Sequence, residues 1–199
     1  MAYGANNHGS IVQIKDQWYI FYHRHTNGSW YSRQGCAEPI SIAEDGSIEQ
    51  VEITSCGLNG GPLAGQGEYP AYLACHLFTD EPSMYVGGDA FPKVMQDGKD
   101  GDEEIGYVGN VQNSATIGFK YFDMKNVKKI RVTMRGYISG NIEVRLTWDG
   151  DVLASLPIEF TNVWETYESE IEIPDGIHSL YFTFRGDGNG ALKSFELLV

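Results

Sequence analysis

Apolar residues in this chain alternate with polar ones far more often than they recur at helical spacing. In NIEVRLTW, residues 141–148, Ile142, Val144, Leu146 and Trp148 are interleaved with Asn141, Glu143, Arg145 and Thr147. An extended strand there turns one face to a core and the other to water. TYESEIEI, residues 166–173, repeats the pattern. With ATIGFKYFDM, KKIRVTMRGY, VLASLPIEF, HSLYFTFRG and ALKSFELLV they make roughly nine strand-like runs after Met84 separated by turn signals, the spacing of a β-sandwich or jelly roll. No stretch has a convincing helical period, which disfavours a doubly wound fold. The fold class expected is all-β.

The N-terminal part has a different order. SIVQIKD and QWYIFYHRH read as strand, turn, strand. SWYSRQGCAEPISI and IEQVEIT flank a turn whose Asp45-Gly46 supplies the positive φ of a tight hairpin. Four antiparallel strands in about fifty residues is the size of one propeller blade, and only one such unit is present. GLNGGPLAGQGEYP, residues 57–70, is glycine-rich and reads as a connector, AYLACHLF as a closing strand, and TDEPS as a boundary. The domains expected are therefore a partial blade over 1–83 and a sandwich over 84–199.

Composition narrows the partners. A formal charge of -13 and a pI near 4.7 repel phosphate backbones and anionic membranes, so neither nucleic acid nor membrane is expected, and a neutral ligand fits best. The basic residues between Lys120 and Arg135 alternate with apolar ones as the outer face of strands does. Cys36, Cys56 and Cys75 form no C-x-x-C pair, which argues against a zinc ribbon or redox motif and for unpaired thiols packed as small apolar groups. No apolar run has membrane-spanning length, and the first residues show no signal-peptide pattern, so localisation stays open.

Both parts resemble known families. NNHGSIVQIKDQWYIFYHRH, WYSRQGCAEPI and CGLNGGPLAGQGEYPAYLAC are similar to the last blade and closing segment of the five-bladed propeller of glycoside hydrolase family 43, enzymes that cleave xylosides and arabinosides. IGFKYFDM, IRVTMRG, VWETYES and LYFTFRGDGNGALKSFEL resemble a family 6 carbohydrate-binding module, often appended to such enzymes. The family's three catalytic carboxylates sit on earlier blades and match nothing here, so no catalytic residue is assigned. Glycoside hydrolysis needs two carboxyl groups at a set separation, one protonated and one ionised. Glu38, Asp45, Glu49 and Glu68 read instead as surface carboxylates. The resemblance implies that His8 sits near a central metal ion or its waters, and that Arg24 or Arg33 faces the sugar pocket. Read alone, His8 is a turn residue, and His23 and His25 share a strand face without a third ligand.

A pyranose offers an apolar C–H face and a polar rim, so a binding module needs flat aromatic surface and hydrogen-bonding groups at its edge. The resemblance implies two aromatics around the sugar and an Asn on a late loop, which places Tyr121, Trp164 and Asn189 in those roles. Read singly, Tyr121 fits a core position and Asn189 a turn. Stacking one sugar between two rings buries ~100 Å² of apolar surface, worth at most ~2.5 kcal/mol. With a few edge hydrogen bonds, millimolar to tens-of-micromolar affinity is expected, which suits repeated engagement of a polymer. The acidic loop QDGKDGDEE brings Asp97, Asp100 and Asp102 together, and the resemblance implies a structural Ca²⁺ there; a solvated acidic loop is the alternative, and the late Asp of such modules is replaced by Ser194.

The expected function is thus non-catalytic binding of a xylan- or arabinoxylan-type polysaccharide. Its rival is the C-terminal part of a split or truncated β-xylosidase or α-arabinofuranosidase, active only with the other blades. A lone blade exposes apolar faces, so it should pack on the sandwich, self-associate, or pair with a chain supplying the remaining blades.

Overall fold

The computed structural model describes residues 8–29, 31–80, 91–97 and 106–199. The first strands, β1 (Ser10–Ile14), β2 (Gln17–His25) and β3 (Arg33–Ile40), form an antiparallel three-stranded sheet. The β1–β2 register runs from Ser10↔Phe21 to Ile14↔Gln17, and β3 pairs with β2 from His25↔Arg33 to Trp18↔Ile40. The fourth strand expected over residues 48–54 does not form. Its turn does, with Gly46 at φ 83 and Ala43 bonded to Ser47, but only an isolated Ile42↔Ile48 bridge follows. The groups that would extend the ladder are engaged elsewhere: the Thr54 amide and hydroxyl both donate to the Glu38 carboxylate at 2.7 Å, and the Ser55 amide donates to the Lys120 carbonyl.

The remaining strands are β4 (Leu63–Ala64), β5 (Gly67–Pro70), β6 (His76–Phe78), β7 (Lys93–Gln96), β8 (Gly106–Val111), β9 (Thr116–Met124), β10 (Lys129–Arg145), β11 (Ala154–Ile158), β12 (Thr161–Glu170) and β13 (Gly176–Leu198). All belong to one hydrogen-bonded network. The connector and closing strand, assigned by pattern to the first unit, are bonded into the second. β4 runs parallel to β9 at Leu63↔Phe122, β6 antiparallel to it at Leu77↔Ile117, and β5 antiparallel to β13 at Tyr69↔Phe195. The boundary expected at 83/84 therefore does not separate two sheets; the first unit's own sheet ends with β3. A glycine permits the close approach at Gly65, where a Cβ would stand 2.4 Å from the Asp123 carbonyl oxygen.

At the centre lies a long ribbon. β10 and β13 pair antiparallel from Lys129↔Leu198 to Arg145↔Tyr181, joining runs that the pattern divides into four strands. Were β13 straight, Phe182 and Phe195 would stand roughly 40 Å apart at about 3.3 Å per residue. Their ring centroids are 5.0 Å apart. The ribbon therefore folds over on itself, and each half enters a different sheet. One half carries β12 beside β10, with β5, β8 and then β7 beside β13. The other carries β11 beside β10, with β9 and its edge partners beside β13. The fold-over falls where the two strands crowd each other: at Gly188, φ 94, a Cβ would lie 1.9 Å from the Tyr137 carbonyl oxygen.

Inward residues of both halves meet between the sheets. Ile130, Val132, Met134, Ile138, Ile142 and Val144 of β10 are buried, and Phe119 packs on Phe195 at 4.7 Å and on Phe182 at 5.7 Å. Phe122 reaches Phe195 at 5.7 Å, and Tyr69 stacks on it at 5.6 Å.

The three-stranded sheet packs on this sandwich, one of the outcomes expected for a lone blade. Arg24, buried on β2, donates from its guanidinium to the carbonyls of Tyr72 and Ala74, and its Nε donates to Gln34 Oε1 at 2.7 Å. At the β2–β3 turn, the Asn27 amide donates to the Val94 carbonyl at 2.8 Å. The three cysteines are unpaired thiols, and burial pushes that of Cys75 up to about 11. Phe195→Ala should cost about 3–5 kcal/mol, because it removes the ring shared by both sheets. Urea unfolding at constant m-value checks this, and a loss below about 1 kcal/mol would contradict the ribbon-centred core.

Candidate functional site

Along β10, Arg135, Tyr137, Ser139 and Asn141 alternate with the buried residues and point outward. Across the ribbon, Tyr137 faces Asn189 and Arg135 faces Ala191 in register, so their side chains share one outer face. Beside Arg135 on β12 lies Trp164. The guanidinium carbon sits 4.2 Å from the Trp164 ring and 5.3 Å from that of Tyr107, and the two rings meet edge-on at 5.6 Å. Asp97, just after β7, accepts from Arg135 Nη2 at 2.8 and 3.1 Å through its two oxygens. This fixes the cation above the rings, a geometry in which ring quadrupole and carboxylate both favour it. Burial, then the Asp97 charge, raises the Tyr107 hydroxyl pKa.

Asn189 is exposed and donates from Nδ2 to Asn110 Oδ1 at 2.9 Å. Asn110 in turn donates to the Phe91 carbonyl at 2.8 Å and accepts from Gln112 at 2.6 Å. Next to Asn189, Tyr137 is 78% exposed and packs against Phe160, 54% exposed, with centroids 4.6 Å apart. Two large rings held together in water are costly without a contact surface to serve. Neither was singled out by sequence pattern. The available signal was parity: in RVTMRGYISG the aromatic Tyr137 falls on the strand's outward register, where polar residues otherwise stand.

Trp164 and Asn189 are thus brought to one face, and Tyr121 is not. Tyr121 lies on β9, in the opposite sheet, and its hydroxyl donates to Glu52 at 2.9 Å beside a 2.7 Å Lys120–Glu52 ion pair. Phe119 and Phe122 take the inward positions of β9, which turns Tyr121 outward on the far side from Trp164. Sheets pack about 10 Å apart, so outward rings on opposite faces cannot enclose one sugar.

A cleft of about 980 Å³ lies against the three-stranded sheet, lined by His8, Phe21, His23, Arg24, Glu38 and Tyr72 among others. His8 stacks on His23 at 6.1 Å, and the His25 ring lies tilted beside His23 at 5.8 Å. Arg24 reaches this cleft, yet its guanidinium holds backbone carbonyls; Arg33 is exposed and lies outside the cleft's lining. Glu38 is not the surface carboxylate expected. It is 2% exposed and accepts from Thr54 and from the Tyr22 hydroxyl at 3.1 Å, and burial followed by the Glu38 charge raises the Tyr22 pKa. Among the described residues no group of three His, Cys, Asp or Glu is arranged to hold a metal ion. Of the calcium candidates, Asp97 is engaged by Arg135, while Asp100 and Asp102 lie outside the described residues.

Residues 94–197, just over half the chain, match the family model for the carbohydrate binding module (family 6). The chain belongs to this family. It is 58% identical over 203 residues to a xylosidase/arabinosidase of Thermoclostridium stercorarium, covering 99% of this chain and 43% of the relative. An arabinoxylan arabinofuranohydrolase of Paenibacillus polymyxa is 26% identical, over 97% of this chain and 31% of its own. The chain spans less than half the length of the curated relatives it matches. The crystal structure of a family 43 arabinoxylan arabinofuranohydrolase from Bacillus subtilis, in complex with cellotetraose, covers 98% of this chain and 41% of its own at TM-score 0.61 and 21% identity. A family 6 module from Clostridium cellulolyticum, in complex with xylose, covers 68% and 99% at TM-score 0.54 and 17% identity. The first supports the architecture of a propeller blade joined to a β-sandwich, and the second the sandwich alone.

The Glu52 contact gives this module a pH signature. Hydrogen bonds from Lys120 and Tyr121 hold the Glu52 carboxyl below its ordinary range. A depressed carboxylate contributes stability above its unfolded pKa of about 4.3 and loses it as pH falls through the folded value. The stability gap between wild type and Glu52→Gln, followed by urea unfolding, should therefore narrow as pH is lowered from about 6 to about 3. A gap that stays constant would show the contact to be inert.

Proposed function

We propose that this chain binds xylan- or arabinoxylan-type polysaccharide without cleaving it, through the outer face that carries Trp164, Tyr137, Phe160 and Asn189. The observation that supports this most is the exposed Tyr137–Phe160 pair beside a hydrogen-bonding amide, apolar surface and polar rim side by side. The substrate class follows the relatives, described as a xylosidase/arabinosidase and as arabinoxylan arabinofuranohydrolases. A weak site of this kind acts by repeated engagement along a polymer.

A second reading, the C-terminal part of a β-xylosidase or α-arabinofuranosidase that works with a chain supplying further blades, draws on the cleft against the three-stranded sheet. Glu38 is the one carboxylate among the cleft's described lining residues, and its oxygens are bonded to Thr54 and Tyr22. Glycoside hydrolysis needs two carboxyl groups, so any catalysis requires residues from elsewhere.

Calorimetric titration with xylo-, arabinoxylo- and cello-oligosaccharides separates these readings. Wild type should bind the first two with Kd between about 10 μM and 1 mM. Tyr137→Ala and Trp164→Ala should each weaken binding by about 10-fold, the loss of roughly 1.4 kcal/mol of stacking. Unchanged binding by both variants would overturn the proposed face, and release of sugar from aryl xylosides or arabinofuranosides by the chain alone would overturn non-catalytic binding.

A further inference from the structure

We propose that Asn27, in the β2–β3 turn of the three-stranded sheet, is a positioning residue for the Trp164 face of the sandwich, an inference that rests on the binding role given to that face above. β7 pairs with β8 along one edge, Lys93↔Gly109 through Gln96↔Gly106. Its other edge meets the β2–β3 turn. There Asn27 behaves like a rung of an added strand: its amide donates to the Val94 carbonyl at 2.8 Å, and its Oδ1 accepts from the Gln96 amide at 3.0 Å. A single residue taking the Val94 carbonyl and the Gln96 amide, either side of Met95, follows the ladder of a parallel neighbour, with Oδ1 in place of a backbone carbonyl. Asn27 sits at φ 55, and its Nδ2 donates to the Ser32 hydroxyl at 3.0 Å, so the turn presents both groups in a fixed orientation.

What β7 carries is the underside of the site. Met95 pairs with Tyr107, whose ring meets Trp164, and the residue after β7 is Asp97, which holds Arg135 over both rings. A shift of β7 along or away from β8 therefore moves the carboxylate, then the cation, then the face that Trp164 offers. Two side chains and one strand separate the first unit from the indole. The hairpin turn thus does more than join two units: it sets the geometry of the saccharide face, and a saccharide that favours the ordered face must in return favour the Asn27–β7 contact.

The test uses the full chain with Asn27→Gly, which keeps the left-handed turn and removes Oδ1, and Asn27→Asp, which restores an acceptor there. Xylotetraose titration should show Asn27→Gly weakened by about 5-fold and Asn27→Asp close to wild type. In ¹⁵N spectra the Trp164 indole resonance should shift or broaden in Asn27→Gly alone, and in wild type xylotetraose should slow hydrogen exchange at the Gln96 amide. If Asn27→Gly binds as wild type does and leaves the Trp164 resonance in place, the positioning role is overturned. If wild type binds none of the oligosaccharides, the binding reading fails by itself, and the positioning role stands or falls on the Trp164 resonance. Should Asn27→Gly not fold, the wild-type Gln96 exchange decides: slowing by xylotetraose supports the coupling, and no change overturns it.

Discussion

The contact of Phe182 with Phe195 is the constraint on which the architecture depends. Two rings on one strand can meet only if the β10–β13 ribbon folds over, and that fold-over creates two sheets from a single pair of strands. Phe119 and Phe122 of β9 fill the space between them, each ring buried. Burying a Phe contributes about 2–3 kcal/mol, so the cluster outweighs the distortion that glycines at the bend keep small. Without it the ribbon would be a long exposed hairpin with one apolar side.

The same folding leaves edges, and the connector strands and the β2–β3 turn cover them. β4 and β6 bond to the edge of β9, β5 to β13, and the β2–β3 turn to β7. Open edges invite pairing with other chains, so this cover also blocks non-native association. Polar groups fix the joint. Arg24 is buried against carbonyls and Glu38 against Thr54 and Tyr22, and a buried charge is tolerable only when its hydrogen-bonding capacity is met. Removing one partner would leave the other stranded, which makes these contacts specific in geometry.

The proposed binding face follows from what remains on the outside. Arg135 is held by Asp97 above Trp164 and Tyr107, so that corner is preorganised before any ligand arrives. Tyr137 and Phe160 support one another in water, and Asn189 is oriented by Asn110. In the proposed role, a rigid aromatic surface with a fixed amide would lose little entropy on meeting a sugar.

Alternation and turn signals determined the all-β class and the order of blade strands before sandwich, and alternation in NIEVRLTW the inward face of that part of β10, because a period of two is a local property of an extended chain. Trp164 and Asn189 were named through the resemblance to a family 6 module and not through alternation. The tertiary structure decided what depends on distance. It fused four runs into one ribbon, drew the connector into the sandwich, and sent Thr54 to a buried Glu38 in place of a fourth blade strand. It also put Tyr121 and Trp164 on opposite faces and assembled Tyr107, Tyr137 and Phe160 from three strands or turns. Periodicity assigns each residue a side of its own strand, but which sides meet is set by how the ribbon bends, and that is fixed only when the core rings pack.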